Sequence, residues 1–255
     1  MALKVGREGT ITERDKEVFL ALFFCRYMST PQLTRLFFPS ASKARSRLAQ
    51  LLKKGYVTNR TMYVVEPTSW DERVSAQGVW HLTKSGFDSV TETLELDEAY
   101  VPKPLLPRQA RHYVRAAEIY AAVKHRLDDE LGPYPAWEWR HEKRVLYTGE
   151  YENVPYQHKP DAHVLLCDQV FIIERQTAES KVGPAKIYEK VEDHKRFVEL
   201  RLRKPAEILF VFDHGDSPMI DAARRAGEQH GIEVVGRDVT GIADYLYNAA
   251  LRLSP

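Results

Sequence analysis

Two short segments carry the residue types needed for metal-assisted phosphoryl chemistry. Lys159-Pro160-Asp161 precedes one apolar stretch and Glu174-Arg175-Gln176 ends the next, with Asp161 and Glu174 13 residues apart. Between them, Cys167-Asp168-Gln169-Val170 reads as a tight hairpin turn. Antiparallel strands on either side of that turn bring both carboxylates to the same end of a sheet. Two hard oxygen ligands side by side suit Mg²⁺ or Mn²⁺, which fills its other positions with waters and a phosphate oxygen. Such an ion lowers the pKa of a bound water and offsets charge on a phosphoryl transition state. Quieter readings exist for each residue. Pro160-Asp161 can simply start a turn, and Glu174 and Gln176 can lie on the solvated face of an edge strand. His158 and His163 bracket Asp161, but no third histidine keeps a zinc-type spacing, and His194 reads as a core residue of an apolar helical face.

A second chemistry comes from charge. The whole chain carries 37 Lys and Arg against 36 Asp and Glu, yet residues 18–65 hold eight bases and no acid. Residues 1–90 have 14 bases against 8 acids, a net of +6, and residues 91–98 carry four acids and no base. One-signed charge on a folded segment attracts polyanions, although a solvated basic face gives the same count.

Composition bounds the remaining classes. With 255 residues, 44% hydrophobic, 29% charged and 11% aromatic, the chain is an ordinary globular protein of about two domains. No apolar run approaches the roughly 18 residues of a membrane span, and MALKVGREGT lacks the apolar core of a signal peptide, so a cytoplasmic location is expected. Cys25 and Cys167 show no CxxC spacing, which excludes a disulfide framework and a cysteine-rich zinc site. Serine-nucleophile, Walker A, GxGxxG and HExxH sequences are absent.

The elements that must position these residues follow from periodicity. Thr10 or Thr12 caps a helix carrying Val18, Phe19, Leu22 and Cys25; Ser29 or Thr30 caps a short one opened by Pro31. A third spans residues 41–54, with Ala44, Leu48, Leu51 and Leu52 on one face and Lys43, Ser46, Arg47, Gln50 and Lys54 on the other. Gly55 stops it, and strands follow at 56–65 and 79–82, joined by a polar tip over 67–77. Pro102, Pro104 and Pro107 predict a stiff connector over 99–108, between domains at 1–98 and 109–255. The second domain reads as a helix at 109–131, strands at 137–146, 162–167 and 170–176, a charged helix at 184–203, and a buried strand, EILFVF. Helix, strand and terminal helix complete an α-β-β-β-α-β-α-β-α order, an α/β core with a mixed sheet.

Three helices and a hairpin, with RSRLAQLLKKGYV and WHLTKSG, resemble winged helix-turn-helix DNA-binding domains. The resemblance implies groove or phosphate roles for Lys43, Arg45, Arg47, Gln50 and Lys54, and a wing role for Arg60. Residues 110–212 resemble the PD-(D/E)xK nuclease superfamily, with Pro160-Asp161 as its first element and Glu174-x-Gln176 as its second. Gln176 stands where most members have lysine, and Lys181, Lys186 and Lys190 lie in or just before the next helix. Glu118 matches an accessory acidic position. The joint pattern, including KPDA, IIERQT and KIYEK, resembles the replication-relaxation proteins of plasmids and phages. That resemblance implies a duplex-DNA-binding protein of replication or DNA relaxation. One form is a Mg²⁺- or Mn²⁺-dependent nickase or endonuclease with Asp161 and Glu174 on the metal, Gln176 orienting water and Lys186 or Lys190 stabilising charge. Another is a non-catalytic initiator or regulator whose second domain serves as a DNA clamp or homodimer scaffold. A third reading is a binding module for a replication protein rather than for DNA.

Overall fold

Capping side chains start the first helices. In the computed structural model, which describes residues 11–65, 74–94, 107–131, 137–141, 144–176, 183–202 and 204–253, Thr12 and Asp15 form a reciprocal capping box that opens α1 (Glu13–Cys25). Ser29 and Gln32 form a second box that opens α2 (Thr30–Phe37), and Ser40 caps α3 (Ala41–Lys53). Gly55, at φ 77°, turns the chain out of α3 in a conformation that other residues resist. β1 (Met28–Ser29), β2 (Val57–Val65) and β3 (Val74–Leu82) form an antiparallel sheet in the order β1-β3-β2. The hairpin is longer than periodicity predicts, because β3 starts at Val74 and not at residue 79. Ser75-Ala76-Gln77-Gly78 lacks the branched and aromatic residues that mark a strand, and pairing to β2 supplies the order instead. The rest of the expected wing tip, residues 67–73, lies outside the described residues. α4 (Lys84–Thr93) is capped by Thr83 and packs so closely that a Cβ on Gly86 would sit 2.1 Å from the Tyr56 carbonyl oxygen. The glycine of the LTKSG sequence is therefore a close-approach residue.

The chain divides into two compact units between Glu118 and Ile119, inside α5 (Pro107–Leu131). The sequence places the division earlier, in a connector at 99–108, most of which lies outside the described residues. The difference has a packing cause within the first unit: Val114 of α5 joins the cluster of Tyr27, Met62 and Val79, and the Val114 carbonyl accepts from Gln32 at 2.8 Å.

In the second unit, β4 (Trp137–His141) ends five residues before the expected strand end. A hairpin of β5 (Tyr147–Tyr151) and β6 (Val154–His158) follows, turning at Glu152 and Asn153, both at positive φ. The main sheet has the order β10-β9-β8-β7-β4, with β7 (Ala162–Leu166), β8 (Gln169–Gln176), β9 (Ala206–Phe212) and β10 (Val234–Asp238). β4, β7 and β8 are antiparallel, whereas β8, β9 and β10 run parallel, so the sheet is mixed as expected. One face carries Ile208, Phe210 and Phe212 against Ile187 and Val191 of α6 (Pro184–Phe197) and Ala223 and Ala226 of α7 (Met219–His230). A π-helical turn, Val198–Leu202, extends α6, and α8 (Val239–Leu253) closes the chain. At β4, Tyr120 meets Trp137 and Trp139 at ring-centroid distances of 6.0 and 5.6 Å. Among the described residues no helix is long and apolar enough to cross a membrane.

Candidate functional site

The register of the β7–β8 hairpin sets the site. Ala162 pairs with Ile173, and one step further the Asp161 backbone N donates to the Ile173 carbonyl at 3.1 Å, which brings Asp161 opposite Glu174. The Arg175 backbone N donates to Asp161 Oδ2 at 2.6 Å and fixes the carboxylate there. Alternation along β8 puts Glu174 and Gln176 on the face of Ile172, which packs on Phe197 of α6. Both are buried, because β8 is the central strand of five, so neither lies on a solvated edge.

Glu174 is held from α6. Lys190 Nζ donates to Glu174 Oε2, and His194 Nε2, one turn on, lies 3.1 Å from Oε1 without hydrogen-bond geometry. Burial alone would lower the Lys190 ammonium, but the charges of Glu174 and Asp161 more than offset it and raise it above the usual lysine value. Asp161, Glu174 and Lys190 thus form one electrostatic group. Lys186 is elsewhere: it is exposed and pairs with Glu189 at 2.5 Å. Glu118 belongs to the first unit, where its Oε2 accepts from Gln32 at 2.9 Å and its Oε1 from Arg35 at 2.6 Å. Lys181 lies outside the described residues.

Orphaned polar atoms surround this group. Gln176 Nε2 is buried with no hydrogen-bond partner, as are Nε2 of His158 and His163 and both ring nitrogens of His194. His158 stacks on Phe197 at 3.7 Å and lies 5.0 Å from His194, ring to ring. Burial, with the charge of His194 adding to it, pushes His158 down to about 2 and His163 to about 3, so both imidazoles are neutral. His194 is the third histidine that sequence spacing does not supply. Its signal is the four-residue step from Lys190, which puts both on one helical face. Among the described residues no three His, Cys, Asp or Glu side chains converge as a metal cage. The opposed carboxylates of Asp161 and Glu174 match in chemistry the lighter demand of a hard divalent ion that keeps its waters, and the unpaired amide donor suits an oxygen beside such an ion.

The basic residues of the first unit separate into two kinds. Lys43, Arg45 and Gln50 of α3 and Arg60 of β2 are exposed, and Lys54 is half-buried. Arg47 is engaged: Nε donates to Asp15 Oδ1 at 2.8 Å, Nη2 donates to Oδ2, and Nη1 donates to Gln50 Oε1 at 2.7 Å. The Asp15 side chain is fully buried and also accepts from Thr12 N and Oγ1 at 2.8 Å each. Burial pushes that carboxyl up, yet Arg47 and Thr12 hold it below the usual aspartate value. Arg47 therefore ties α3 to α1, a role that helical periodicity does not reveal.

Known proteins resemble this chain at two levels. No curated protein matches it. Among solved structures, the protein VC1899 from Vibrio cholerae is 11% identical, with 92% of this chain and 50% of that one covered and a TM-score of 0.41. The restriction endonuclease FokI is 12% identical, with 94% of this chain and 46% of that one covered and a TM-score of 0.31. Bacillus subtilis PadR, solved with operator DNA, is 11% identical, with 94% and 99% covered and a TM-score of 0.24. The chain spans about half the length of VC1899 and of FokI. The family model for replication-relaxation matches residues 22–211, which take in the basic helix α3, Asp161, Glu174 and Lys190, and the chain belongs to the replication-relaxation family.

Proposed function

We propose that this protein binds duplex DNA through α3 and the β2–β3 hairpin and hydrolyses a phosphodiester at the Asp161–Glu174 pair. One observation carries the reading: two carboxylates opposed across a hairpin, with a lysine from the following helix bound to one of them. A bound Mg²⁺ or Mn²⁺ would supply an activated water and charge compensation. Asp161 and Glu174 would hold that ion. Lys190 supplies the positive charge that Gln176 lacks, and the Gln176 amide donates to an oxygen of the water or phosphate. Lys43 and Arg45 engage phosphates and base edges from the exposed face of α3. A second reading, a non-catalytic replication initiator or regulator, is favoured by Glu174 already being neutralised by Lys190. Supercoiled plasmid incubated with the full chain and Mg²⁺ or Mn²⁺ separates the two. Nicked or linear product that disappears in Asp161→Asn supports hydrolysis, and intact plasmid under every condition supports the second reading.

A further inference from the structure

The place of a cation between the carboxylates is not vacant of charge. Glu174 has a side chain only 4% exposed, and Lys190, whose side chain is 29% exposed, bonds to it directly through its ammonium. The Asp161 charge acts on the same ammonium. A second cation cannot share a buried carboxylate with an ammonium without like-charge repulsion in a medium that screens poorly. Nearby, Gln176 Nε2 is 'armed' as a donor with no acceptor, on the same face of β8 as Glu174 and on a residue only 5% exposed. An incoming anionic oxygen satisfies that donor, and the same anion offers the ammonium a new partner.

We propose that Lys190 is the resident counter-ion of the Asp161–Glu174 pair, and that it must leave Glu174 before the pair can accept a hard divalent cation, drawn off by a nucleic-acid phosphate. This rests on the proposed reading that the pair is a cation site. It makes divalent-ion binding and DNA binding mutually reinforcing, since each removes an obstacle to the other. The free protein then holds divalent ions weakly.

The test is Mn²⁺ binding to the full chain, read by electron paramagnetic resonance of free Mn²⁺, for wild type, Lys190→Met and Lys190→Gln, each with and without a short duplex oligonucleotide. Both variants should bind Mn²⁺ about tenfold or more tightly than wild type without DNA, the scale of one nearby charge. Duplex should tighten Mn²⁺ binding to wild type and leave the variants unchanged. Because a variant could lose its fold, wild type carries an independent readout. Mn²⁺ should raise the acetylation rate of Lys190 about threefold or more by peptide mass spectrometry, with Lys186 unchanged, as an amine displaced from the buried Glu174 carboxylate becomes open to the reagent. Variants that bind no more tightly than wild type, Mn²⁺ bound with no change at Lys190, or no Mn²⁺ binding at all would overturn the proposal. Tightened binding with an inert plasmid assay leaves it standing while hydrolysis fails, and nicking without any change in affinity does the reverse.

Discussion

Each unit of this protein buries an acid against a base, and the two pairs are built differently. Asp15 accepts from Arg47 Nε and Nη2 and from Thr12 N and Oγ1, so both its oxygens are occupied by well-directed donors. Glu174 has Lys190 on one oxygen and an ill-directed His194 on the other, amid unpaired atoms of His158, His163 and Gln176. Buried polar groups are ordinarily satisfied, and the exceptions call for a reason. Asp15–Arg47 is a strut: it ties α1 to α3 with both carboxylate oxygens engaged. Glu174–Lys190 is incompletely satisfied, which is the condition in which a further ion or an anionic oxygen can lower the free energy. On the proposed reading, the difference separates a buried ion pair that stabilises a fold from one that takes a ligand.

Breaking the strut should give the largest effect. Arg47→Met leaves the Asp15 carboxylate buried without its main partner and should cost about 3–5 kcal/mol in urea unfolding of the first unit. The strut is also pH-sensitive. Its lowered aspartate contributes stability that is present above the unfolded-state value near 3.8 and is lost as pH falls through the folded one, so Asp15→Asn should flatten the unit's acid limb.

The site should respond in rate. If the plasmid is nicked, Lys190→Ala should slow the reaction on the order of 10²-fold, the loss expected for one electrostatic stabiliser. Lys186→Ala should leave the rate near wild type, because that lysine pairs with Glu189 on the exposed side of α6. Gln176→Lys should hold or raise the rate. Equal losses for the two lysine variants in a gel-based time course would contradict the assignment of Lys190.

The exposed part of α3 gives a smaller change. Lys43→Ala and Arg45→Ala should each weaken duplex binding by about 1–3 kcal/mol, with Lys43→Ala reducing the salt slope by about one. Fluorescence anisotropy across a salt series measures both. Unchanged binding by the double variant would move the DNA surface off α3.

Near neutral pH the buried histidines give the gentlest effect. His158 and His163 stay neutral in the folded protein while the unfolded chain binds protons below about pH 6.5, so stability of the second unit falls as pH drops through that value. Just below pH 6.5 the slope approaches about 1.4 kcal/mol per pH unit for each imidazole. His158→Phe should remove about one such slope in pH-dependent urea unfolding while keeping a ring against Phe197.

The sequence makes the site more legible than its surroundings. Asp161 and Glu174 flank a recognisable turn, so hairpin register alone brings them opposite each other, and Lys190 lies on the next strongly periodic helix. Periodicity assigns faces but not partners. It therefore misses that Arg47 bonds Asp15, 32 residues away, and that Glu118 meets Gln32 and Arg35 in the first unit. The β5–β6 hairpin is hidden for another reason: Tyr147–Tyr151 and Val154–His158 are polar strands with Gly149 and Pro155, joined by a Glu152-Asn153 turn without glycine. His158 reaches the site only through that hairpin.

The contrast between strut and site is tested most directly by two charge-removing variants of similar shape, Asp15→Asn and Glu174→Gln, unfolded in urea beside wild type at neutral pH. Asp15→Asn should lose about 2 kcal/mol or more, because it dismantles a capping box and a satisfied ion pair together. Glu174→Gln should lose less than about 1 kcal/mol, because the Lys190 ammonium, on a partly exposed side chain, keeps the Asp161 charge nearby and Glu174 has only one well-directed donor to lose. A loss at Glu174→Gln as large as at Asp15→Asn would contradict the account, since Glu174 would then be a second strut.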